Sequence, residues 1–184
     1  MEYIINWPAD SYKLTELRSG DIVHLSGTIY TARDAAHRRL VDLLDADKET
    51  PVDLRDCAIY YAGPAPCPPG LPSGSIGPTT SGRMDIYKEK MMKAGMKLMI
   101  GKGKCFPQLK ELCREYKAVY LAAFGGVAAL SAKSVKSMEL VAWPELGAEA
   151  LMKLEVENML LVVINDARGH DYYEMLAENE KARS

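Results

Sequence analysis

The 184 residues are 48% apolar and 26% charged, enough apolar surface to offset the entropy of ordering, which excludes a disordered chain. With 23 Lys and Arg against 25 Asp and Glu the net charge is −2 and no basic stripe stands out, which argues against nucleic acid as the main partner. No apolar run approaches the roughly 20 residues that span a bilayer. The opening MEYIINWPAD lacks a basic region followed by an apolar one, so the expectation is a cytoplasmic protein with no membrane partner. The length suits one domain over 1–184, with a tail from about 174 that frays into charge.

Residues 4–17 show no clear period and stay unassigned. Residues 21–30 alternate, with Val23, Leu25 and Ile29 apolar, and predict a strand. Thr31-Ala32-Arg33-Asp34 has the form of a capping box, opening an amphipathic helix through Ala35, Leu40, Leu43 and Leu44. Residues 57–62 read as a buried strand. The connection 63–78 is so rich in proline and glycine that regular helix is excluded and a fixed, extended path is favoured, either an active-site loop or a rigid strap, with the prolines favouring the strap. Residues 79–82 open a helix to about Ala94, and Gly95 stops it. A strand over 96–100, a Gly101-Lys102-Gly103 turn and a helix from about Pro107 follow. Residues 118–123 predict another strand, and Gly125-Gly126 leads into a helical run near 127–133. Further on, 137–142 suits a strand, 148–152 a short helix, and 154–156 with 160–164 two strands. The tail from Tyr173 is helical in pattern. The fold class is a single mixed α/β domain.

Three segments share one design, in which an apolar strand meets a tight joint and a helix start or turn that carries a cation. They contain Arg33, Arg83 and Lys102. A helix start offers free N–H groups and the positive end of a dipole, so Arg there is locally unfavourable unless an anion is bound. Arg grips a carboxylate with two parallel hydrogen bonds. Ligands of α/β sheets gather at the carboxyl ends of strands, where all three joints lie. Three cationic joints in one domain suit a dicarboxylate. Plainer readings stand beside this one. Thr31 and Thr80 cap helices, Arg33 with Asp34 and Arg83 with Asp85 form surface ion pairs, and Lys102 is simply solvated. His37 is an ordinary helix-face histidine, the methionines fill the core, Tyr60 and Tyr61 pack, and His24 and His170 are structural or exposed. Gly101-Lys102-Gly103 lacks the P-loop spacing. Cys57, Cys67, Cys105 and Cys113 form no C-x-x-C pair and match no common zinc spacing, so reduced thiols and no metal held by this chain are expected.

Residues 26–39 (SGTIYTARDAAHRR), Tyr61-Ala62-Gly63-Pro64, residues 77–85 (GPTTSGRMD) and Gly101-Lys102-Gly103 occur in that order. Together they resemble the C-terminal domain of iron–sulfur (class I) fumarases, which also occurs as the separate β subunit of two-subunit fumarases and L-tartrate dehydratases. The resemblance runs from about Leu14 to Tyr173. It implies a swivelling β/β/α domain with a mixed sheet and helices, docked on a larger α subunit that holds a [4Fe–4S] cluster, so that this chain binds no cofactor and is inactive alone. The implied reaction is the reversible hydration of fumarate to (S)-malate, with an open iron as Lewis acid. L-tartrate dehydration is the alternative within the same chemistry, and a non-catalytic dicarboxylate- or partner-binding module is the alternative outside it. By the resemblance, Arg33, Thr79, Thr80, Arg83 and Lys102 bind substrate, with Thr79 the candidate base and Lys102 also catalytic. Asp34, His37 and Asp85 are supporting residues.

Overall fold

The computed structural model describes residues 1–70, 72–123 and 133–183. The strands are β1 (Glu2–Trp7), β2 (Ile22–Thr31), β3 (Cys57–Tyr60), β4 (Met96–Gly101), β5 (Val119–Ala123), β6 (Val135–Ala142) and β7 (Leu151–Asn165). The helices are α1 (Asp34–Asp45), α2 (Asp85–Lys93), α3 (Leu109–Tyr116) and α4 (Tyr172–Arg183).

Along β3 and just beyond, Cys57, Ile59 and Tyr61 face one apolar cluster while Ala58, Tyr60 and Ala62 face another. The same alternation divides Met99 from Leu98 and Ile100 in β4, and Tyr120 from Val119 and Leu121 in β5. A strand can be apolar at every position only when both faces of its sheet are covered. Here one face packs on Ala36 and Leu40 of α1, Met91 and Met92 of α2 and Cys113 of α3. The other face encloses Val23, Leu25, Leu154, Leu161 and Val163.

The topology explains how that second face is closed. Strands β1 to β5 pair in parallel in numerical order, and β5 pairs antiparallel with β7. β7 also pairs antiparallel with β6 and, from Ile22 to Thr31, with β2. The sheet β2-β3-β4-β5-β7 therefore returns to its own first strand. The bend this needs falls where β2 shifts register against β7 between Leu25 and Gly27. Gly27 has φ +118°, and a Cβ there would lie 2.0 Å from the Trp7 carbonyl oxygen, so only glycine fits. The mixed sheet with helices is the α/β class expected.

Several elements differ from expectation. Residues 4–17 hold part of β1 and a 3₁₀ turn over Ser11–Thr15, with Leu14 and Leu17 buried. Thr31 does not cap α1. It ends β2, fully buried, and Arg33 takes the N-cap position. The helix expected from 79 divides into a 3₁₀ turn over Ser81–Met84 and then α2. The short helix expected over 148–152 is a 3₁₀ segment over Pro144–Glu149, and Leu151 already belongs to β7. The two strands expected over 154–156 and 160–164 are one 15-residue strand. Asn158, at φ 53° in its middle, breaks the alternation and hides the continuity. The helical run expected near 127–133 falls outside the described residues except at its last position. Cys57, Cys113 and Met84, Met91, Met92, Met96 and Met99 are core residues, as expected, whereas Met1 and Met175 are exposed and do not fill the core.

Candidate functional site

Three strands deliver their ends to one edge of the sheet. Beyond β2, the Ala32 N–H donates to Tyr60 O at 3.2 Å, which pins the start of α1 beside β3. Beyond β3, the Tyr61 N–H donates to Ile100 O at 2.7 Å, and Tyr61 O accepts the Thr79 N–H at 2.7 Å. Beyond β4, Lys102 bridges Thr80 in parallel, and its carbonyl accepts the Ser81 N–H at 3.0 Å. The segment carrying Thr79, Thr80 and Arg83 is thus laid across the ends of β3 and β4, next to the α1 start that carries Arg33. Gly101 makes room for it, since a Cβ there would lie 1.9 Å from Ser81 Oγ.

The charges at this edge pair differently from the sequence reading. Arg83 Nη2 lies 2.9 Å from Asp34 Oδ2, not on Asp85. Arg33 Nη2 lies 3.4 Å from Glu149 Oε1, not on Asp34. Glu149 Oε2 also accepts the Ala35 N–H at 2.9 Å, so a carboxylate of the chain itself already caps α1. Lys102 is exposed and has no ion-pair partner among the described residues. Thr79 is half-buried and Thr80 exposed. Asp85 turns inward, with Oδ1 2.5 Å from Lys88 Nζ and Oδ2 accepting the Phe106 N–H at 2.9 Å. The structure therefore gathers Arg33, Asp34, Thr79, Thr80, Arg83 and Lys102 at one edge and sets Asp85 beneath it.

His37 is 1% exposed on the inner face of α1. Its Nδ1 lies 2.9 Å from Arg33 O, and because a carbonyl only accepts, Nδ1 carries the proton. The ring packs against Tyr61 edge-on at 5.4 Å and stacks on Tyr87 at 5.6 Å. Burial pushes its pKa from 6.5 down to about 4, against the pull of the Arg33 carbonyl bond. The imidazole is therefore neutral near pH 7 and holds the Arg33 backbone at the start of α1.

Two groups escape sequence reading. Glu149 lies 114 residues from Ala35, and nothing local marks it. Lys88 was legible in principle, because it falls in helical register with Met84, Met91 and Met92, all buried.

Burial pushes the Cys57 thiol up to about 12 and the Cys113 thiol higher still, and Cys105 accepts a hydrogen bond from Lys88 at 2.9 Å. Among the described residues no group of three His, Cys, Asp or Glu could hold a metal ion, so this donor set does not fit an iron–sulfur cluster. No described helix is long and apolar enough to cross a membrane.

A mixed sheet closed on itself, with helices on one face and arginine, threonine and lysine at the carboxyl ends of three adjacent parallel strands, defines an α/β domain with a candidate site at that edge. The chain belongs to the family described as Fumarase C-terminus, whose model matches residues 5–176. It is 44% identical over 160 residues to the anaerobic class I fumarate hydratase of Escherichia coli (strain K12), covering 86% of this chain and 29% of that protein. It thus spans under a third of that relative. It is 41% identical over 180 residues to the putative L(+)-tartrate dehydratase subunit beta of Methanocaldococcus jannaschii, covering 95% of this chain and 92% of that one. Against the L(+)-tartrate dehydratase subunit beta of Escherichia coli (strain K12) the identity is 37% over 186 residues, covering 98% and 90%.

Proposed function

We propose that this chain is the β subunit of a two-subunit hydro-lyase, most simply a fumarate hydratase, and that its cationic edge grips the substrate carboxylates. The observation that supports this reading is the convergence at one sheet edge of Arg33, Arg83 and Lys102 around Thr79 and Thr80, locked by backbone bonds between the ends of β2, β3 and β4. A cation held at a fixed strand end stabilises a carboxylate as charge accumulates on it, without reorganising at the moment of reaction. Lys102, free of ion pairs among the described residues, meets an incoming carboxylate with no bond to break first. Arg83 would give up or share its contact with Asp34, and Arg33 keeps Glu149 at its side.

Thr79 is the proposed base. A threonine hydroxyl takes that part only where its alkoxide is stabilised, and the 3₁₀ turn that follows and Arg83 supply the positive potential. The iron–sulfur cluster implied by the family resemblance is assigned to a larger α subunit. L-tartrate is kept as the second substrate reading because the relatives matched over nearly their whole length carry the tartrate dehydratase name.

The test is anaerobic purification of this chain with its α subunit, followed by assays with fumarate, malate and L-tartrate. Fumarate–malate turnover supports the leading reading, and tartrate turnover alone moves the substrate and keeps the site. A stable pair with no turnover of any of the three overturns the enzyme reading in favour of a binding module.

A further inference from the structure

Lys88 is 1% exposed, and among the described residues no other lysine or arginine is buried. A buried ammonium is tolerated only where its three N–H donors find acceptors. Here they do. Nζ lies 3.1 Å from Ser81 O, 2.5 Å from Asp85 Oδ1 and 2.9 Å from Cys105 Sγ. The rings of Tyr61 and Tyr120 flank it, each with its centroid 5.5 Å from Nζ. Two of these acceptors belong to the segments that carry the candidate side chains, because Ser81 lies between Thr80 and Arg83, and Cys105 follows Lys102 by three residues. Other bonds tie the same two segments. The Ser81 N–H goes to Lys102 O, the Phe106 N–H to Asp85 Oδ2, and Tyr120 Oη lies 2.9 Å from both Ser81 Oγ and Gly103 O.

We infer that Lys88 is a positioning residue, a buried cation that fastens the 79–83 segment to the 101–105 segment and so sets the spacing at which Thr79, Thr80 and Arg83 face Lys102. It cannot meet substrate itself, being sealed below the edge with its donors committed. The catalytic arm of this inference rests on the hydro-lyase reading, and the structural arm does not.

Two variants test it, Lys88→Met and the pair Lys88→Met/Asp85→Asn. The pair leaves no uncompensated buried charge and keeps an acceptor for the Phe106 N–H. Amide exchange is read on the chain alone, and KM and kcat on the assembled enzyme. With the fold retained, exchange at the Ser81 amide should rise at least tenfold while the β7 amides keep their protection, and KM for the dicarboxylate should rise at least tenfold. Wild-type exchange at Ser81 together with wild-type KM overturns the inference. Uniformly faster exchange across the sheet also overturns it, since Lys88 would then serve general stability. If the wild-type pair turns over no dicarboxylate, the hydro-lyase reading fails, and the Ser81 exchange still decides the role of Lys88.

Discussion

Replacing His37 with Phe should remove a pH dependence from the stability of the fold. The imidazole is sealed between Tyr61 and Tyr87, with Nδ1–H committed to Arg33 O, and its Nε2 has no partner among the described residues. Nearby charges oppose each other, Lys88 disfavouring the protonated ring and Asp34 favouring it, so burial decides the direction. In the unfolded chain the ring takes up a proton near its ordinary 6.5, and in the fold only near 4. Between those values the unfolded state binds more protons, so stability falls as pH falls from 6.5 and levels off below about 4. At about 1.4 kcal/mol per pH unit the full effect is about 3 kcal/mol. The assay is urea denaturation of wild type and His37→Phe at pH about 7 and about 4.5, where wild type should lose about 2.5 kcal/mol more than the variant. The shared titration of surface carboxylates cancels in that difference. Equal losses in the two proteins would mean that His37 is protonated within the fold, and the burial argument would be wrong.

Three further outcomes follow from the same geometry. Arg83→Ala should leave urea stability within about 0.5 kcal/mol, because its pair with Asp34 is half-exposed, yet lower turnover of the proposed two-subunit hydro-lyase at least tenfold through a lost charged hydrogen bond. Near-normal turnover would remove Arg83 from the substrate grip. Glu149→Ala strips the cap from the Ala35 N–H and should cost about 1 kcal/mol in urea unfolding, with Glu149→Gln retaining most of it. Gly101→Ala drives a methyl to within 1.9 Å of Ser81 Oγ and should cost about 1–3 kcal/mol, and an unchanged melting temperature would mean the 79–83 segment does not lie on β4.

Of the parallel strands, β3, β4 and β5 were legible because both of their faces are buried, so that they appear as short apolar runs between breakers. The three joints were legible for the same local reason, each strand ending where a glycine, a threonine or a helix start begins. Their motifs also carried the family resemblance. The long β7 was not, since Asn158 interrupts its period and only pairing with β2 on one edge and with β5 and β6 on the other makes it continuous.

At the candidate site, sequence by itself determined which side chains stand at strand ends, because a residue's place along a strand or helix follows from its near neighbours. Tertiary structure alone decided which charges meet. Arg33 found Glu149 and Arg83 found Asp34. Thr31 went into the core rather than to a cap. Glu149 and Ala35, distant along the chain, become neighbours only when the 3₁₀ segment before β7 folds against the start of α1. Periodicity is set by the backbone geometry of a few residues, whereas an ion pair depends on where the sheet brings remote segments together, and no local pattern encodes that distance.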